Sequence, residues 1–249
     1  MIVDTHCHIH QSDYPVSVDA VISRLKQADV GWYVCVGTDR QSSTEAIDFC
    51  KRRNDCYSAV GVHPHETRNG YQIDDLLDAN SVIAIGEIGL DYFYEHSPRD
   101  VQQKALIAQL KLAVKHDLPV IFHVRDAFDD FWPIFDSFDG RLRGVLHSFT
   151  DTIENLQRGL ERGLYIGVNG ISTFVKDPAA QSMYDQIPLD RLVFETDAPF
   201  LTPAPLRGKV NEPANVRLVA EYHAARRSLS FDDIAKLTSD NAANLFGLN

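Results

Sequence analysis

Residues 2–10 read IVDTHCHIH, two β-branched residues running into histidines at every second position, His6, His8 and His10. As a strand, the stretch alternates faces, so His6 and His8 point one way while Thr5 and Cys7 point the other. The two imidazoles then stand about 7 Å apart along one face and can converge on a single cation. A purification tag would be a longer, uninterrupted run. A first strand that ends in metal-type side chains raises the question of whether other strands end the same way.

Short β-branched runs recur near 2–5, 33–37, 57–62, 82–86, 119–123, 143–147, 164–168 and 191–195, with amphipathic stretches between them. Near 17–29, Val18, Val21, Ile22 and Leu25 share a helical face. Near 98–116, Val101, Ala105, Ala108 and Leu112 recur at helical spacing. That helix is expected to open on Ser97-Pro98, a cap followed by a first-turn proline, and to carry an Asp100/Lys104 pair. Eight strand signals, each followed by a helix signal, predict a (β/α)8 TIM barrel. No linker, low-complexity tract or charge block divides the sequence, so one domain over 1–249 is expected. An open doubly wound sheet would want a glycine-rich phosphate loop after an early strand, and the sequence has none.

A barrel of this kind places its chemistry at the C-terminal ends of the strands. There the first strand offers His6 and His8, the third (GVHPH) His63 and His65, and the fourth (VIAIGEIGLDY) Glu87 and Asp91. The fifth (PVIFHVRDA) offers His123 and Arg125, the sixth (GVLHSFT) His147, and the eighth (RLVFETDAPF) Glu195 and Asp197. Four imidazoles and two carboxylates exceed one tetrahedral ion but suit two divalent ions about 3.5–4 Å apart. Glu87 sits mid-rim and is the expected bridge, with His6 and His8 on one ion and His123 and His147 on the other. Asp197 closes the ring beside the first strand, as a ligand and as proton acceptor from the attacking water. The mixed N/O donors suit Zn, Mn, Co or Ni, and Mg less well.

Composition narrows the class of partner. With 44% hydrophobic and 24% charged residues the chain reads as soluble and globular. It contains no apolar run of transmembrane length and no signal-peptide pattern, so no membrane role and a cytoplasmic location are expected. The four cysteines, Cys7, Cys35, Cys50 and Cys56, form no CxxC pair and read as reduced thiols, Cys7 packed behind the strand of His6 and His8. A formal charge of −11 argues against coating a nucleic acid through a basic surface. It leaves room for an enzyme that engages one phosphate at a time through metal. The sequence leaves the oligomeric state open, with a monomer as one reading.

The segments DTHCH, GEIGLDY, ETDAPFL and RGKVNEPANV, in this order from Asp4 to about Val216, resemble the signatures of the TatD-like metal-dependent hydrolases, amidohydrolase-type barrels. The resemblance implies a metal-dependent deoxyribonuclease acting on DNA. Its ligand positions fall on His6, His8, Glu87, His123, His147 and Asp197, and it puts His63 near the substrate. Two departures stand out: Ser148 where relatives often have Cys after the ligand histidine, and Leu206 where they commonly have His before RGK.

Among the remaining rim residues, Arg125 is a candidate phosphate contact, as are Arg207 and Lys209 in the loop after the eighth strand, where barrels often hold phosphate. Asp91 is expected behind a ligand histidine. His10 reads as a solvated loop histidine, His65 as part of a turn, and Tyr92, Phe93 and Tyr94 as lid packing. The expected reaction is hydrolysis of phosphodiesters at single-stranded ends, in the 3'-5' direction, by a hydroxide generated between two metals. The rival is a deacylase or amidohydrolase working on a carbon-centred ester or amide, including an acylated nucleic acid. Many such barrels use a carboxylated lysine as the bridge, and IAIGEIGLDY has no lysine. A metal-binding module without catalysis would not need both metals.

Overall fold

The computed structural model describes residues 1–248. Its strands are β1 (Ile2–Cys7), β2 (Val30–Val36), β3 (Cys56–Val60), β4 (Val82–Asp91), β5 (Val120–Arg125), β6 (Gly144–Leu146), β7 (Tyr165–Val168) and β8 (Leu192–Phe194). They form one parallel sheet in sequence order. The helices are α1 (Val18–Gln27), α2 (Arg40–Cys50), α3 (Arg99–His116), α4 (Phe128–Asp136), α5 (Ile153–Glu161), α6 (Pro178–Asp185), α7 (Val216–Arg226) and α8 (Phe231–Phe246). The fold is the expected (β/α)8 barrel. One unit departs from it: β3 is followed by 3-10 turns at Pro64–Asn69 and Asp74–Leu76 and not by an α-helix. That stretch carries Pro64, Gly70 and a run of Asp and Asn, which suit turns better than a helix. No helix among the described residues is long and apolar enough to cross a membrane.

Two apolar layers hold the strands. One gathers Val3, Val34, Ala59, Ala84, Ile121, Val145 and Val193, from seven different strands, against Leu245 and Phe246 of α8. That is the inward layer that fills a barrel of this size. The other lies between strands and helices and includes Phe122, Phe131, Trp132, Leu146 and Phe194.

The seam between β8 and β1 closes mostly through polar groups. Thr5 Oγ1 donates to the Phe194 carbonyl (3.1 Å), while Thr196 N and Oγ1 donate to the Asp4 carboxylate (2.8 and 2.6 Å). Asp197 N donates to the His6 carbonyl and His8 N to the Ala198 carbonyl, both at 2.8 Å. Burial pushes the Asp4 carboxyl well above its usual range, against the opposing effect of its Thr196 bonds.

Helix α3 differs from its predicted face. Its buried positions are Gln102, Ala105, Leu106, Gln109, Leu110 and Ala113, whereas Val101, Ala108 and Leu112 are only partly buried. Two glutamines sit inward because each satisfies a strand end. Gln102 Oε1 accepts from Asp91 N and its Nε2 donates to the Asp91 carbonyl (2.9 and 3.0 Å). Gln109 does the same for Val62, next to His63 (2.8 and 3.2 Å). The expected Asp100–Lys104 pair is present at 2.8 Å. Ser97 does not cap α3. Pro98 is the cap residue, and Ser97 Oγ instead donates to the His65 carbonyl (2.8 Å).

The cysteines also differ from expectation. Cys50, at the end of α2, and Cys56, at the start of β3, are joined by a disulfide. The return from helix to strand brings their Cα atoms to 5.0 Å, within reach of such a bond. Cys7 and Cys35 are free and buried, and Cys7 Sγ donates to the Val34 carbonyl behind the strand (3.4 Å).

Candidate metal centre

Strand β4 runs past Glu87 to Asp91, five residues beyond the predicted end, and all ten of its residues are buried. The second glycine of GEIGLDY allows this. Gly89 lies at φ 156°, and a Cβ there would fall 1.7 Å from the His123 carbonyl oxygen. Glycine lets β4 close on β5 with Gly89 beside His123 and Asp91 beside Arg125 in register.

Glu87 is shared between two groups of donors. Its Oε2 lies 3.4 Å from His6 Nε2. Its Oε1 lies 2.7 Å from His123 Nδ1, 3.6 Å from His147 Nε2 and 3.6 Å from His63 Nε2. On the first side, His6 Nε2 and His8 Nε2 are 3.2 Å apart, and Asp197 Oδ1 is 3.6 Å and 3.2 Å from them. Ligands about 2.0–2.1 Å from a tetrahedral ion stand about 3.3 Å from one another. The four spacings around His6 cluster about that value, so the donors present can hold a first-row divalent cation. The two imidazole nitrogens facing each other at 3.2 Å inside the protein are themselves a reason for a cation between them.

The outward nitrogens are held by partners that set the ring orientation. His8 Nδ1 donates to the Val36 carbonyl at 2.7 Å, leaving Nε2 for the centre. His147 Nδ1 faces Glu195 Oε1 at 3.0 Å, leaving Nε2 toward Glu87. His123 Nε2 faces Asp91 Oδ2 at 3.0 Å, leaving Nδ1 toward Glu87. Asp91 Oδ1 also accepts from Phe93 N (2.9 Å), so one carboxylate both steadies the histidine and caps the following turn. His63 is different. Its Nδ1 accepts from His65 N at 3.2 Å, so neutral His63 carries its proton on Nε2, which suits a donor more than a ligand.

Asp197 reaches the centre from a left-handed backbone conformation (φ 58°), which Asp tolerates better than most residues, held by the bond from Asp197 N to His6 O. Gly167 makes room for Glu195, since a Cβ there would lie 2.5 Å from Glu195 Oε2.

The charges follow from this packing. Burial would raise the Glu87 carboxyl, but the imidazoles of His147, His63, His123 and His6 hold it well below the usual range. Asp197 is likewise lowered, against burial, by His8, His147 and His6. Burial opposes protonation of His147, yet Glu195, Glu87 and Asp197 hold it up to about 10. His123 is held up to about 8, against burial, by Asp91 and Glu87. His63 is pushed well down by burial and by His123.

The centre opens into a cavity of about 780 Å³ lined by His63, His65, Asp91, Tyr94, Arg125 and Phe200, among others. Arg125 is the one Arg or Lys among the described lining residues, and its guanidinium rests 3.8 Å over the Phe93 ring. Phe93, Tyr94 and Phe200 are half-exposed at the mouth and not packed as a closed lid. Arg207 and Lys209 are exposed outside this lining, Arg207 stacked 3.6 Å over Phe174.

His10, expected in solvent, is buried with both ring nitrogens unpartnered, and burial pulls it down to about 3. Sequence reasoning also left out His65, whose Nε2 is 3.1 Å from Asp91 Oδ2, and gave Glu195 no role. For Glu195 a signal existed, because it stands two residues before Asp197 at the same strand end.

The family model for TatD-related DNases matches residues 3–247. The chain is 36% identical over 255 residues to the uncharacterized metal-dependent hydrolase YabD of Bacillus subtilis, covering 100% of both chains. It is 34% identical over 256 residues to the 3'-5' ssDNA/RNA exonuclease TatD of Citrobacter rodentium, covering 98% of this chain and 97% of that one. The solved structure of YJJV, a TatD homologue from Escherichia coli K12, matches with a TM-score of 0.89 at 30% identity, over 99% of this chain and 98% of that one. Fold, donor-bearing rim and end-to-end similarity agree: this metal-dependent hydrolase belongs to the TatD-related DNase family.

Proposed function

We propose that the chain hydrolyses phosphodiester bonds one nucleotide at a time from the 3' end of single-stranded DNA, with two divalent cations sharing Glu87. The observation that carries this reading is the division of the Glu87 carboxylate between two donor sets at the floor of a cavity of about 780 Å³. His6, His8 and Asp197 complete one set, and His123 and His147 the other. When bound, the cations supply Lewis-acid stabilisation of charge building on the phosphate and make water acidic enough to attack at neutral pH.

The protein's own groups do the rest. Asp197, kept ionised by the surrounding imidazoles, takes the proton from the attacking water. His63 directs its Nε2 proton toward the reacting phosphate, and Arg125 offers a cation at the mouth. The half-exposed rings of Phe93, Tyr94 and Phe200 give terminal bases a surface to stack on. A mouth with one lining arginine on a chain of charge −11 favours a frayed end over the middle of a duplex. The exonuclease relative from Citrobacter rodentium supports the same substrate class and extends it to RNA.

The test is a matrix of divalent metals against substrates on chelated, reconstituted protein: end-labelled single strands of DNA and RNA, duplex, closed circular DNA and small esters. The expected outcome is a single-nucleotide ladder from the 3' end of single strands, with circles left intact. Binding should fall with log[salt] at a slope no steeper than about −2, each neutralised phosphate of a single strand contributing about −0.7. Rapid cutting of circles, or faster turnover of the small esters, refutes the reading.

A further inference from the structure

All four cysteines of the chain fall in one buried cluster that also takes in Val21 and Leu25 of α1 and Ala46 of α2. Three of them, Cys35 on β2, Cys50 at the end of α2 and Cys56 at the start of β3, have sulfurs within 4.8 Å of one another. We propose that these three form, once the Cys50–Cys56 bond is reduced, an all-thiolate site for one soft or borderline cation, separate from the hydrolytic centre.

The spacing supports this. Two thiolates about 2.3 Å from a tetrahedral zinc stand about 3.8 Å apart, and Cys35 Sγ lies 3.7 Å from Cys56 Sγ. Opening the disulfide lets Cys50 Sγ relax to a similar separation. The donors are sulfur only, which selects zinc, cadmium or copper(I) over the harder ions that N/O donors accept. The sulfurs sit on two strands and a helix end, so their backbone positions are set before any cation arrives. An entry path exists too: a cavity of about 540 Å³ is lined by Cys50 and Cys56 with Arg53, Tyr57, Asn80 and Ser81. Arg53 and Lys51 at that cavity offset the negative charge of three thiolates. Cys7 donates to the Val34 carbonyl and is not counted in the site.

Reduction adds two electrons and two protons to the Cys50–Cys56 bond. In the assay they come from a phosphine and water, the phosphine leaving as its oxide. Binding then releases the thiol protons, because the thiolate is the ligand.

The full chain, reduced and stripped with chelator, is titrated with Co(II) alone and with Cd(II) alone. Thiolate-to-metal charge-transfer absorption reads sulfur ligation, which the histidine-carboxylate centre cannot produce. The expected result is a band that saturates with an amplitude corresponding to one sulfur-ligated cation per chain. The band should be absent in unreduced protein, abolished in Cys35→Ala and Cys50→Ser, and retained in Glu87→Ala. X-ray absorption of zinc-loaded Glu87→Ala protein should give sulfur neighbours at about 2.3 Å, a readout that does not depend on the cysteine variants folding. No band in the reduced wild-type chain, a band that survives Cys35→Ala, or a shell of nitrogen and oxygen alone overturns the proposal.

Discussion

Replacing Glu87 by Gln keeps the length of the side chain and removes one negative charge from between the two donor groups. A carboxamide has one acceptor oxygen and one NH2 donor. Whichever way it sits, one group of imidazoles meets a donor that cannot bind a cation. At an effective dielectric constant of 20, a unit negative charge about 4 Å from a cation contributes about 4 kcal/mol. Water filling the gap returns part of this. We expect a loss on the order of 10²–10³-fold in cation affinity, or about 3–4 kcal/mol. Because both groups use the same carboxylate, occupancy should fall on both sides, whereas His123→Ala should mainly empty one. Metal analysis after dialysis reads occupancy, and single-turnover cleavage of a labelled strand reads the chemistry. A Glu87→Gln protein that keeps two tightly held ions and turns over normally would refute the bridging assignment.

Three further outcomes follow from other contacts. Asp91→Asn should cost about 10–100-fold in cation affinity, because the partner that orients His123 is weakened; an unchanged dissociation constant by calorimetry would show the contact to be idle. In chelated protein, His147 is raised from its ordinary value to about 10, so its contribution is complete below about 6.5 and is lost as pH rises toward 10. The fall should be on the order of 3–5 kcal/mol in urea unfolding, and much smaller in Glu195→Gln; identical pH profiles for the two proteins would contradict it. Asp4→Ala leaves Thr196 N unpaired inside the seam and Thr196 Oγ1 with only its longer bond to the His6 carbonyl as donor, at a cost of about 1–3 kcal/mol. That should appear as a lower Tm in thermal unfolding, and an unchanged Tm would mean that the Asp4–Thr196 contact does not stabilise the seam.

What the sequence revealed, and what it hid, divides along the distance between partners. The strand ends were readable because His6 and His8 follow one apolar run, and His63, Glu87, His123, His147 and Asp197 each follow another. The length of β4 was not, since a carboxylate inside a buried strand is intelligible only once the imidazoles around it are in place. Gln102 and Gln109 looked like the wet side of α3. The backbone groups they satisfy lie 11 and 47 residues away, and nothing local announces them. His10 hid for a similar reason, sharing a cavity wall with Glu45 and Asp48 of α2 once the chain has folded. The Cys50–Cys56 pairing depends on how tightly α2 returns into β3, which spacing alone does not convey.

The seam has a consequence for how the enzyme comes into being. Asp197 N and the His6 carbonyl are bonded although the two residues stand 191 positions apart in sequence. His6 and His8 therefore stay without Asp197 until β8 has come in beside β1. Without β8 in place, His6 and His8 lack the Asp197 carboxylate that stands beside them in the folded protein. Closing the seam and bringing Asp197 beside His6 and His8 are one event, and the loop-closure entropy of joining β8 to β1 is met by contacts that also gather these donors.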